Sequence, residues 1–302
     1  MRITDLFSSG KPFPSLEIVP PLSGITQQEL LSSIAPLMEF QPRYINVTTH
    51  RDELRFTAQP DGSYQREVVR SRVSPVAVCA CIQAHFPVEV VPHIICAGQS
   101  ANEIQWQLSD FRFMGIENVM ALRGDSLTGE KRFQPQPDGY AHASELVAAI
   151  QETGDFCVGV GAYPEKHFEA ANMETDIAFL KAKVQAGAHY IITQMFFDNA
   201  VFYRFVEKCR AAGITVPIIP GLKPLTTAKQ VEMLPEAFSI DIPLTLTEAI
   251  REAGASREAV RQLGIDWCIA QCKDLLAHGI PAVHFYTMGK SQNVAEVLRE
   301  CF

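Results

Sequence analysis

Eight short apolar runs, each followed by a stretch with helical spacing, constrain most strongly what this chain can fold into. The runs cover residues 15–19, 43–48, 89–96, 119–122, 156–162, 189–194, 216–220 and 282–287. They are apolar almost throughout, as strands buried on both faces of a parallel sheet are. Helices between them are marked by apolar residues three and four apart and by start and stop signals. Thr26…Glu29 and Ser100…Glu103 read as capping boxes, Pro75 as a first helical position, and Gly115, Gly154, Gly187 and Gly213 as stops. Two helical stretches are expected between the seventh and eighth strands, the longer over 256–278. Eight such units in 302 residues is the arithmetic of a (β/α)8 TIM barrel. An open doubly wound sheet would carry a Gly-rich phosphate turn after an early strand. The near match, Gly159-Val-Gly161, lacks the third glycine and meets Tyr163-Pro164 instead of a helix. A polar segment, 49–72, with a turn signal at Pro60-Asp-Gly62, interrupts the alternation after the second strand. No domain boundary is evident, so a single barrel domain over 1–302 is expected.

Composition narrows the function classes. The net charge is −8 and no basic stripe is evident, which argues against a nucleic-acid binder. No apolar run is long enough to cross a membrane, and the N-terminal stretch has no secretion signal. The eight cysteines are irregularly spaced and read as reduced thiols of a cytoplasmic protein. Cys268 and Cys272 share a helix face and could be imagined with His93 and Cys96 as a zinc site. No Cys-x-x-Cys pair supports that, so core thiols are the better account and no metal is expected.

In a TIM barrel, chemistry gathers at the C-terminal ends of the strands, and polar residues fall there regularly. The stretch Asn118-Val-Met-Ala-Leu-Arg-Gly-Asp125 is a buried strand ending in a cation, a flexible residue and an anion. Its bland reading is a turn with Gly124 at positive φ and solvated charges. Glu17 is the sharpest candidate. Alternation puts Leu16 and Ile18 on one face and Glu17 on the other, pointing into the barrel. A carboxyl there loses solvation, which favours its protonated form. A carboxyl that keeps its proton can act as a general acid; the bland reading is a structural ion pair. Asp125 can stabilise positive charge on a ligand or simply cap a turn. Gln194 can donate and accept, as the edge of a heterocycle requires, or be a core amide. His93 within a strand is, alone, more often a satisfied core histidine. Thr48, Arg123, Tyr163, His167, His284, Tyr286 and Lys290 complete the set of strand-end residues.

This constellation resembles the methylenetetrahydrofolate reductases, over nearly the whole chain and in order. The matching pieces are Ser15-Leu-Glu17-Ile-Val-Pro-Pro21, Val47-Thr48, Pro92-His93, Ala121-Leu-Arg-Gly-Asp125, Ala162-Tyr-Pro-Glu165 with His167, Thr193-Gln194 before Phe196-Phe-Asp198, Ile219-Pro-Gly221 and His284-Phe-Tyr-Thr287. Each is a weak tag; eight in order are specific. The resemblance implies a flavoprotein that passes a hydride from NADH or NADPH to FAD and then to 5,10-methylenetetrahydrofolate, giving 5-methyltetrahydrofolate. Glu17 would be the acid that opens the methylene bridge to a 5-iminium cation, and Asp125 would favour that cation. Gln194 would hydrogen-bond the folate, and Lys290 its glutamate tail, where many members carry arginine. Thr48, His93, Arg123, Gly124, Asp125, His142, Ala143, Tyr163, His167, Asp176 and Lys183 match FAD-holding positions. Arg123, His167 and Lys183 suit a pyrophosphate. The chain resembles the short bacterial type, and a homo-oligomer is expected. Segment 51–72 matches the family poorly. Two other readings compete: a folate-binding barrel that transfers a methyl group without redox chemistry, and a non-catalytic folate- or flavin-binding subunit. Bound flavin that NADH or NADPH reduces separates the first reading from both.

Overall fold

A computed structural model describes residues 1–50, 53–125, 133–154, 156–289 and 291–302. Ten strands are seen among the described residues: β1 (Phe13–Ile18), β2 (Tyr44–Val47), β3 (Glu53–Ala58), β4 (Tyr64–Val69), β5 (Glu89–Ile95), β6 (Asn118–Leu122), β7 (Cys157–Ala162), β8 (Tyr190–Met195), β9 (Ile218–Leu222) and β10 (Ala282–Tyr286). Eight of them close a parallel barrel in the order β1, β2, β5, β6, β7, β8, β9, β10, with β10 back against β1. These are the eight apolar runs of the sequence, so the expected (β/α)8 barrel is the observed one.

The period of two along each strand sorts residues into two layers. Leu16, Ile18, Ile45, Val47, Val119, Ala121, Val158 and Val160 point outward into the main core, packed under helix faces such as Ile104, Leu108 and Phe111. Phe13, Tyr44, Val91, Met120, Tyr190, Ile192 and Ile219 fill the barrel interior. Each such buried side chain contributes about 1.5–3 kcal/mol. Glycine makes the interior fit. A Cβ on Gly159 would sit 2.4 Å from the Tyr190 ring, so the tyrosine occupies the space a side chain there would need. A short helix, Ile3–Leu6, adds Ile3 and Leu6 to the interior cluster. It is fastened by Asn118, which accepts from the Ile3 amide at 2.9 Å and donates to the Met1 carbonyl at 2.8 Å.

The helix signals hold. Thr26 with Glu29, and Ser100 with Glu103, form reciprocal capping boxes, and the helix Pro75–His85 begins on its proline. Two expectations are corrected. The polar segment after β2 contains a two-stranded antiparallel hairpin, β3 with β4, outside the barrel. Three helices, not two, lie between β9 and β10: Gln230–Phe238, Leu244–Ala253 and Arg257–Ala277. The first ends on Ser239 in the left-handed region, φ 52°, and the second starts after Pro243, so the chain is broken where one helix was expected.

Candidate active site

Parallel register brings the interior acid to its neighbours. Glu17 on β1 lies level with Asn46 on β2 and Tyr286 on β10, and Ser15 lies level with His284. All point inward. Glu17 Oε2 is 3.6 Å from His93 Nε2 and 4.0 Å from His284 Nε2, and the carboxyl keeps 18% of its side-chain exposure toward the barrel mouth. Asn46 Nδ2 donates to His93 Nε2 at 3.1 Å, which leaves the ring hydrogen on Nδ1 and the ring neutral. Burial pushes His93 down to about 4, with Glu17 opposing and His284 and His50 adding. His284 is fully buried, and its Nδ1 is 2.9 Å from Ser15 Oγ. If Ser15 donates there, the His284 hydrogen sits on Nε2 and faces the carboxyl. Two buried atoms at this spot, His284 Nε2 and Asn46 Oδ1, have no hydrogen-bond partner among the described residues. A buried polar group left unpaired costs about 1–3 kcal/mol. The slot around Glu17 therefore has hydrogen-bonding capacity to spare for a polar ligand.

Next around the rim is the end of β6. Arg123 is ion-paired with Glu169, and its guanidinium lies 5.0 Å from the centre of the Phe133 ring. Gly124 has φ +81°, and a Cβ there would meet Ala97 Cβ at 2.8 Å, so glycine is needed for both conformation and space. Asp125 follows at the exposed rim.

Beyond it, basic groups gather at the ends of β7 and in the helix Met173–Gln185 that follows. The Tyr163 and His167 rings meet edge to face, 4.6 Å apart. The His167 amide donates to Asp176 Oδ2 at 3.0 Å, and Lys183 Nζ donates to the Gly161 carbonyl at 2.7 Å. Burial lowers Lys183 to about 8; Asp176 opposes the shift and Arg123 adds to it. His167 is likewise lowered, by burial first and then by Arg123, against Glu169 and Asp176. Burial, with Asp125 next in weight, pushes Tyr163 up to about 12. Three basic groups that repel one another around one phenol form a donor set that a diphosphate would complete.

The remaining expected residues fall as follows. Thr48 Oγ1 lies 3.1 Å from His50 Nε2 at the end of β2. Gln194 Oε1 accepts from the Met195 amide at 2.9 Å, which fixes the orientation of the carboxamide on β8. His142 and Ala143 open the helix Ala143–Glu152, where Glu145 turns back to accept from the His142 amide at 3.2 Å. Lys290 lies outside the described residues. The sequence reading missed Asn46 and Ser15, which share the inward faces of Thr48 and Glu17; the period of two was the signal. It also passed over Glu165 as an acid. Burial, with Asp241 and Asp198 close by, raises Glu165 to about 7. Its Oε1 accepts from the Asp241 amide at 3.0 Å. All eight cysteines are free. No helix among the described residues is long and apolar enough to cross a membrane.

Fold and site together define a TIM barrel with an interior acid held between two imidazoles and a basic cradle on the same rim. Comparison with known proteins agrees. The family profile described as "Methylenetetrahydrofolate reductase" matches residues 2–301. "Methylenetetrahydrofolate reductase (NADH) 1" of Arabidopsis thaliana is 32% identical over 308 residues, covering 98% of this chain and 49% of that protein. "5,10-methylenetetrahydrofolate reductase" of Escherichia coli (strain K12) is 31% identical over 278 residues, covering 92% and 86%. A solved structure titled "Uncharacterized protein from Clostridium thermocellum binds two copies of 5-methyl-5,6,7,8-tetrahydrofolic acid" superposes with a TM-score of 0.62 at 14% identity, covering 100% of this chain and 98% of that one; it shares the fold. The chain belongs to the methylenetetrahydrofolate reductase family. It spans about half the length, or less, of its plant relatives and most of the length of its bacterial ones.

Proposed function

We propose that the chain reduces 5,10-methylenetetrahydrofolate to 5-methyltetrahydrofolate with NADH or NADPH, using FAD. Family membership supports the reaction class. The observation that carries the reading is the Glu17 carboxyl at the barrel mouth, flanked by two imidazoles and two orphan polar atoms. When bound, FAD relays a hydride between the nicotinamide and the methylene carbon.

The donor set fits that cofactor. Arg123, His167 and Lys183 would face its pyrophosphate, with Tyr163 and Asp176 fixing their places and Gly124 allowing close approach of the backbone. Thr48, His93, His142 and Ala143 complete the proposed cofactor residues. In the folate half-reaction, Glu17 gives its proton to N10 as the bond from N10 to the methylene carbon opens. The cation left at N5 is favoured by Asp125 at the rim. Gln194, its amide held by Met195, presents a fixed donor to the pterin edge, and Lys290 would take the first glutamate of the tail. One hydride and one proton enter for each methyl group formed, so the step balances. Eight free thiols suit a reducing compartment, and we place the protein in the cytoplasm.

Purified protein is expected to be yellow and to carry stoichiometric flavin that NADH or NADPH bleaches. Colourless protein that cannot be reconstituted with FAD would overturn the reading. A methyl transferase without redox chemistry would bind the folate and never bleach.

A further inference from the structure

Cys268 and Cys272 stand one turn apart on one face of the helix Arg257–Ala277, and the chemistry above uses neither. Both are buried, at 1% and 0% exposure. The zinc site imagined for them with His93 and Cys96 does not form: among the described residues no group of three or more His, Cys, Asp or Glu side chains is placed to hold a metal ion. The thiol that does reach them is Cys301, the last residue of the helix Ser291–Cys301.

Three contacts set Cys301 over one turn of the longer helix. Its Sγ donates to the Ile269 carbonyl at 3.9 Å. Its neighbour Glu300 is ion-paired through Oε2 with Lys273 Nζ at 3.6 Å. The Cys272 thiol, next to Lys273, is hydrogen-bonded to Cys301 itself. The two sulfurs therefore meet across the packed pair of helices.

They are chemically unequal. Cys272 is fully buried, whereas Cys301 is partly exposed. The hydrogen bond from Cys272 lowers Cys301; Lys273 adds to the shift, against burial and Glu300. Cys272 is raised, first by the same hydrogen bond and then by burial. Burial raises Cys79, Cys96, Cys157, Cys209 and Cys268 as well. The thiolate, not the thiol, is the nucleophile. An accessible sulfur with thiolate character beside a buried thiol is the arrangement of a redox-responsive pair.

We propose that Cys301 and Cys272 form a reversible disulfide when the protein meets hydrogen peroxide. The Cys301 thiolate attacks one peroxide oxygen, and the O–O bond breaks. The departing hydroxide takes up the proton that the Cys301 thiol released, giving water. Cys301 is left as a sulfenic acid. The Cys272 sulfur then attacks the Cys301 sulfur, and the S–S bond forms as the S–O bond breaks. The Cys272 proton leaves with that hydroxyl as a second water. Two electrons pass from the sulfurs to the peroxide, so the step balances. A small-molecule dithiol restores both thiols by exchange. A disulfide of this kind is transient in a reducing compartment. The bond closes a loop of about 30 residues. That loop contains β10, the strand of His284, which faces Glu17. Oxidation thus fastens together the helices that flank β10 in the chain.

The whole chain, reduced and then freed of reductant, is treated with equimolar hydrogen peroxide. Two of the eight thiols are expected to disappear. Digestion without reductant should give one linked peptide pair, Cys272 with Cys301, and dithiothreitol should separate it. The thermal midpoint should rise by about 3–6 °C on oxidation. Cys301→Ser removes the accessible nucleophile and should slow thiol loss at least about tenfold. In Cys272→Ala, Cys301 should stop at the sulfenic acid and be captured by dimedone. Thermal midpoints of the reduced variants check that each folds. Wild-type protein that keeps all its thiols, a bond between other cysteines, or an oxidised midpoint no higher than the reduced one overturns the proposal. So does unchanged thiol loss in Cys301→Ser, or the lack of a dimedone adduct in Cys272→Ala.

Discussion

Replacing Glu17 with glutamine should separate the two half-reactions. The substitution keeps shape and hydrogen-bonding atoms but removes the transferable proton. Its neighbours limit rescue. His93, held near 4 by burial, is a neutral imidazole at neutral pH and too weak an acid to replace the carboxyl, and its Nε2 already accepts from Asn46. The loss should then approach the full value of a general acid, about 10²–10⁴ in rate, or about 3–5 kcal/mol of barrier. That loss belongs to methylenetetrahydrofolate reduction alone. Flavin reduction by NADH or NADPH needs no proton from Glu17 and should stay within about threefold of the wild type. Anaerobic stopped-flow of each half-reaction, following flavin absorbance, measures both. Equal loss in both would refute the assignment and make Glu17 a structural carboxylate.

Three further outcomes follow from the geometry. Gly124→Ala forces an alanine to φ +81° and brings its Cβ within 2.8 Å of Ala97; a thermal melt should show a loss of about 2–4 kcal/mol, with weakened flavin retention. Lys183, lowered to about 8 from 10.5, must be charged to face a pyrophosphate. FAD affinity should therefore fall with rising pH above about 8, up to about tenfold per unit, and Lys183→Met should bind weakly and lose that slope. His93, at about 4 against an ordinary 6.5, binds its proton more readily when unfolded. Its contribution to stability is thus complete above pH 6.5 and lost as pH falls to about 4, at most about 3 kcal/mol. Denaturant titrations of wild type and His93→Gln should show the acid slope reduced in the variant.

Where local pattern decides structure, the sequence was readable. Apolar runs located all eight barrel strands, because strands buried on both faces leave no other composition. Period-two alternation with Leu16 and Ile18 is enough to set Glu17 facing inward. The contacts of that carboxyl were another matter. His93 and His284 lie 76 and 267 residues away in sequence, and only the register across β2, β5 and β10 decides that both reach Oε2. Asn46 was hidden for the same reason, although its alternation with Thr48 pointed inward. The β3–β4 hairpin escaped because its surfaces are largely exposed, so strand burial left no apolar run to find. Phe56 facing Arg66 and Ala58 facing Tyr64 give only a weak alternation. The helices after β9 were miscounted because a serine, Ser239, occupies a left-handed stop usually marked by glycine.

The central claim is that this barrel carries a hydride from a nicotinamide to a folate. An anaerobic titration tests it most directly. NADH or NADPH should bleach the bound flavin stoichiometrically, and 5,10-methylenetetrahydrofolate should then restore the colour while 5-methyltetrahydrofolate appears in equal amount. Flavin that neither nicotinamide reduces, or reduced flavin that the folate leaves bleached, would contradict it.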